Sequence, residues 1–245
     1  CFQGCNFTQC YSSVGGGLNF VDGNEHGDEQ KILINCIFEN NFAEDKGGCI
    51  KSKTYELTLD TVTFKNNKLI TSLSSSFLYI EMDEQPPTIN NCVFESNDDS
   101  TLAIIVNTKE PSSILFNNCI FRDYSGRVFE TSQIISFPTR FYSCIFTNLS
   151  GNTIPISLTS NDFVFEKCNF SYNKHGNVAV TGDANATFDD CDFHDNTIID
   201  NGAGIQVSGA TKTVTINHCR FHDNMANKSG GSIYFLDGEE LSLYN

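Results

Sequence analysis

Apolar and polar positions alternate along this chain in a short unit that keeps returning: Cys-x-Phe, with Asn three residues after the Phe. Cys36-Ile37-Phe38 leads to Asn41, Cys92-Val93-Phe94 to Asn97, Cys168-Asn169-Phe170 to Asn173, Cys191-Asp192-Phe193 to Asn196, and Cys219-Arg220-Phe221 to Asn224. Cys5-Asn6-Phe7, Val62-Thr63-Phe64 with Asn67, Cys119-Ile120-Phe121 and Cys144-Ile145-Phe146 are copies with one position altered. Two core positions around one outward position is the period of a strand, because successive strand side chains point to opposite faces. The outward residue is polar in Asn6, Thr63, Asn169, Asp192 and Arg220, but apolar in Ile37, Val93, Ile120 and Ile145. The Asn that follows predicts a turn, since Asn tolerates left-handed backbone and its side chain bonds locally. Stacked from copy to copy, these amides can bond one another and the turn backbone.

A second motif begins six residues after the Asn. Gly47-Gly48-Cys49-Ile50, Gly202-Ala203-Gly204-Ile205 and Gly230-Gly231-Ser232-Ile233 share it, and Gly15-Gly16-Gly17-Leu18 is a shifted copy. Glycines here predict a tight corner with close backbone approach, and the Ile opens the next strand. A third strand precedes each Cys, as in Lys31-Ile32-Leu33-Ile34, Leu57-Thr58-Leu59, Ser113-Ile114-Leu115-Phe116 and Thr213-Val214-Thr215-Ile216. Copies recur every 23 to 31 residues between Cys5 and Cys219, the period of a solenoid. The expectation is an all-β fold: a right-handed, single-stranded parallel β-helix of about nine coils, right-handed because parallel crossovers almost always are. The repeat runs through residues 1–245 without a linker, which predicts one domain. Cys1 already stands at the edge of a repeat and Asn245 ends one abruptly, as expected of an excerpt of a longer protein or a mature chain with its caps removed.

Phe-x-x-Asn coupled to Gly-Gly-small-Ile resembles the polymorphic membrane protein repeats of chlamydial autotransporters and related β-helix surface proteins. The matching residues are Phe38, Asn41, Gly47, Gly48 and Ile50; Phe193, Asn196, Gly202 and Ile205; and Phe221, Asn224, Gly230, Gly231 and Ile233. The resemblance implies a secreted or surface-displayed adhesin passenger, located outside the cell or on its surface. Its partner would be a cell-surface protein or glycan, and the family has no catalytic residues to carry over. Its C-terminal outer-membrane barrel has no counterpart in this segment.

A formal charge of −15 argues against a nucleic-acid backbone or an anionic membrane as partner. No apolar run is long enough for a transmembrane segment. Eleven cysteines suggest disulfides, yet seven share the repeat position of Cys5, where in-register side chains point the same way rather than at each other. A buried stack of reduced thiols is the expectation, with Cys1 and Cys5 the most plausible bridge. Cys-x-x-Cys zinc spacing is absent.

Candidate chemistry concentrates at the end of the chain. Asp192, His194 and Asp195 should stack on Arg220, His222 and Asp223 about 5 Å away, close enough for an acid/base pair or a metal. These six residues carry the alternative reading, a carbohydrate-active enzyme (polysaccharide lyase or glycoside hydrolase) of the pectinase-like β-helix class. Asp22, Asn24 and Asp28 resemble the start of a calcium loop, but His26 takes the fifth place and Leu33 the twelfth, where a bidentate Glu belongs. No other cofactor is expected. The favoured function is adhesion.

Overall fold

The computed structural model describes residues 1–21, 30–53, 56–69, 76–82, 86–96, 102–108, 113–131, 138–151, 153–209 and 213–244. Among these, strands pair in parallel into three long sheets of ten, nine and nine strands, each strand bonded to its counterpart one coil away. The ten-stranded sheet runs from Phe2–Gln3 to Glu240–Tyr244. The Cys-Phe sheet runs from Asn6–Thr8 to Arg220–His222, and a third sheet from Leu18–Val21 to Ile233–Leu236. This is a right-handed parallel β-helix whose nine Cys-Phe strands match the expected coil count. Two small sheets, absent from the sequence reading, line the corner after the Asn: one of three strands including Phe42–Lys46, and one pairing Thr197–Ile198 with Met225–Ala226.

Register is held by the residue that repeats. Phe7, Phe38, Phe64, Phe94, Phe121, Phe146, Phe170, Phe193 and Phe221 pair one upon the next. Their rings form one continuous stack, centroids 4.4 to 5.4 Å apart and planes within 16° of parallel. A second file, Phe116, Phe141, Phe165 and Phe188, stacks at 4.8 to 5.0 Å from the ten-stranded sheet. It meets the first file edge-on at 5.6 to 6.3 Å. Each fully buried Phe contributes roughly 1.5–3 kcal/mol, and face-to-edge pairs suit the ring quadrupole. A lone coil could not offset the ordering of its own backbone, so stacking and folding are one event.

All eleven cysteines are free, Cys1 and Cys5 included, so the bridge expected between those two is absent. In the column each thiol turns to backbone oxygen, and neighbouring thiols bond one another along the stack without bridging. Cys144 Sγ donates to Phe116 O at 3.4 Å and Cys168 Sγ to Phe141 O at 3.2 Å, both carbonyls of the preceding coil. Burial pushes the Cys49, Cys92 and Cys168 thiols up, away from the reactive thiolate.

The Asn positions form the expected ladder, with one correction. Asn41, Asn67, Asn173 and Asn196 are fully buried. Asn196 Nδ2 donates to Phe170 O at 2.8 Å, while its Oδ1 accepts the Asn173 N–H at 3.0 Å. Asn41 and Asn67 repeat the arrangement: Asn67 Nδ2 donates to Phe38 O at 2.8 Å and its Oδ1 accepts the Asn41 N–H at 2.9 Å. These Asn residues are not the left-handed ones. Their predecessors are, including Asn40 (φ 54°), Asn66 (50°), Tyr172 (58°), Asp195 (54°) and Asp223 (54°). A second left-handed residue precedes each column Cys or Val62, as at Asn35, Thr61, Asn91, Asn118 and Lys167. These strands are short because left-handed turns close them at both ends, Val93–Glu95 excepted, which has such a residue only before it among the described residues.

The glycine corner is steric. Gly202 has φ +68°, and a Cβ added there would sit 2.6 Å from Ile205 O and 2.9 Å from Tyr234 Cβ. Only glycine fits both the backbone and the space.

Candidate functional site

The outward positions of the last two Cys-Phe strands are brought together as the sequence predicts. Asp192 pairs in register with Arg220 and His194 with His222. The His rings stack 5.1 Å apart and 2° from parallel, and Tyr172 meets His194 edge-on at 5.6 Å. Each His is tied to its own turn: His194 Nδ1 lies 2.8 Å from Asp195 Oδ2, and His222 Nδ1 2.8 Å from Asp223 Oδ2. This pairing follows from the left-handed backbone at Asp195 and Asp223, which swings each carboxylate back toward the preceding imidazole.

Asp192 is engaged elsewhere. Arg220 grips it through two nitrogens, Nε to Oδ1 at 3.2 Å and Nη2 to Oδ2. That hydrogen-bonded guanidinium holds the Asp192 carboxyl below the usual carboxylate range. His222 Nε2 lies 3.3 Å from Asp192 Oδ1, near enough for ionic attraction but without hydrogen-bond geometry. On the other side, His194 Nε2 is 3.2 Å from Asn169 Nδ2. The six residues thus form a lattice of lateral pairs on a flat, solvent-facing sheet. Among the described residues no group of three or more His, Cys, Asp or Glu is placed to hold a metal ion. The weak calcium candidate, Asp22, Asn24 and Asp28, lies outside the described residues.

The structure adds a notch that no motif announces. Nine positions separate Asn196 from Ile205 and Asn224 from Ile233, but only five separate Asn173 from Val178. The short corner leaves a gap of about 360 Å³ over its coil. Ser157, Ala179 and Gln206, neighbours in register on the third sheet, floor it. Ile154, Ile198 and Ile199 give apolar walls, Ile199 being 70% exposed, and Arg127, Thr153, His175 and Asp200 are the polar lining. Asp200 is itself held by Lys228 Nζ at 3.0 Å and Asn201 Nδ2 at 3.0 Å. Asn177 repairs the shortened corner from beneath, donating to Ala203 O at 2.9 Å. The unequal spacing from ladder Asn to third-sheet strand is the signal in the sequence that marks this place.

No helix among the described residues is long and apolar enough to cross a membrane. Comparison with curated proteins and with solved structures returned no match. The family model for a right-handed β-helix region matches residues 129–245, the stretch that holds the His-Asp lattice and all of the notch lining except Arg127.

Proposed function

We propose that this β-helix is a surface-displayed adhesion module, outside the cell, that binds a cell-surface protein or glycan. One observation carries the reading: ladder residues keep register from coil to coil while the corner before the third sheet changes length, and its shortening opens the notch. Stability and recognition are thereby assigned to different residues, as in other solenoids whose variable segments bind. Neutral groups that both donate and accept hydrogen bonds, Gln206, Ser157 and Thr153, beside the exposed Ile199 suit hydroxyl-rich or peptide surfaces. The likeness of the repeats to polymorphic membrane proteins points the same way.

The test is binding of the purified chain to cultured cells and to a glycan array. Variants Ile199→Arg and Gln206→Ala should reduce binding several-fold, and Asp192→Ala and His222→Ala should leave it intact. Turnover of polygalacturonate or a neutral glycan, with or without calcium, that vanishes in Asp192→Ala or His222→Ala would replace adhesion by the carbohydrate-active enzyme reading.

A further inference from the structure

The outer face of the Cys-Phe sheet holds an anomaly that the adhesion reading leaves untouched. Ile37, Val93, Ile120 and Ile145 point outward in one column, interrupted only by Thr63, and Ile37 and Ile145 remain 40% and 39% exposed. Beside them a second outward column reads Thr8, Glu39, Lys65, Glu95, Arg122, Thr147. Its charges alternate along an ion-pair ladder: Lys65 lies 3.8 Å from Glu39 and 3.9 Å from Glu95, and Arg122 lies 2.8 Å from Glu95. Left-handed polar turn residues rim the strip, Asn35, Asn91 and Asn118 on one side, Asn40 and Asn66 on the other.

Read in reverse, the charged column inverts its signs and keeps a Thr at each end. A two-fold axis lying along the strands, between the coils of Thr63 and Val93, reverses coil order while keeping each column opposite itself. Glu39 then faces Arg122 of the second copy, Lys65 faces Glu95, Thr8 faces Thr147, and Ile37 faces Ile120, while Val93 faces Thr63 and Ile145 faces Asn6. Reversed sign order is what an isologous interface requires, since the same patch must complement itself. We infer that this face is where a second copy of the chain docks, antiparallel, with the two Ile37–Ile120 contacts as its apolar part and the charged column setting register. The inference does not depend on the adhesion reading.

The strip spans six coils, about 29 Å at ~4.8 Å per strand and about 10 Å wide, so each copy contributes about 300 Å², well below the roughly 1,200 Å² in total that stable specific interfaces bury. Association is therefore weak and concentration-dependent. Sedimentation velocity of the chain from low micromolar to near-millimolar concentration should show a monomer–dimer equilibrium. Ile37→Lys, on an exposed position, should abolish it without changing circular dichroism. Lys65→Glu sets like charges opposite each other twice and should weaken the dimer by about tenfold or more. Adding Glu95→Lys restores the pairing between copies while worsening it within each chain, so recovery of the dimer separates docking from a merely internal ladder. A chain that stays monomeric throughout, or a dimer indifferent to Lys65→Glu, overturns the inference.

Discussion

At the scale of the residue, the ladder Asn does two jobs that no apolar side chain can share. Asn196 supplies a donor to Phe170 O and an acceptor to the Asn173 N–H inside a dry turn. Asn196→Leu keeps the volume and removes both bonds, leaving two buried backbone groups unpaired at about 1–3 kcal/mol each. A loss of about 2–6 kcal/mol in urea unfolding is the expected result. Asp192 offers a second residue-scale experiment. Its carboxyl is held below the ordinary value of 3.8 by the Arg220 hydrogen bonds. A depressed pKa contributes stability that is present above the unfolded value and lost as pH falls through the folded one. This contribution is therefore constant at neutral pH and disappears below about pH 4. Because Arg220 is largely exposed, the effect is small and is better read by NMR of the side-chain carboxyl. Arg220→Ala should return the Asp192 titration toward the ordinary range, and an unmoved midpoint would refute the assigned cause.

At the scale of the element, corners decide what the strands can do. Gly202→Ala forces a side chain into left-handed backbone and onto Ile205 O, and should cost about 2–4 kcal/mol from strain plus overpacking. Thermal unfolding checks it, with Ala203→Gly as a mild neighbour. The corners also explain what could be read ahead of the structure. Cys-x-Phe strands were legible because their inward positions are chemically uniform and recur in register, so period alone identifies them. The left-handed sites were not, since Thr61, Ser143, Lys167, Tyr172 and His218 all occupy them and share no composition. There, coil geometry overrides residue preference. The second Phe file was missed because its unbroken run begins only at Phe116, with Leu33, Leu59 and Ile89 separating it from Phe2 of the first coil. For the site, the His-Asp lattice was legible because its partners are one coil apart on a predicted strand. The notch was not, because Arg127, His175 and Asp200 come from three coils and meet through a shortened segment rather than a motif.

At the scale of the whole molecule, a solenoid whose coils touch only their neighbours opens from its ends. The cysteines report on this directly. Seven are buried, while Cys1, Cys5, Cys10 and Cys219 are exposed or partly so and lie in the first and last coils. Native thiol labelling should stop at those four, and mild denaturant should expose Cys36 and Cys191 before Cys119. Simultaneous release of all seven would mean one cooperative unit. The nine-ring phenylalanine stack has a different consequence, for how such a chain can change length. Along the column each ring presents the next with the same shape in every coil. Excising residues 168–190, one full circuit, would lower Phe193 onto Phe146 and leave a shorter but unbroken column. Coil number is thus a dial that gene duplication or deletion can turn without redesigning a core, so long as whole circuits are exchanged.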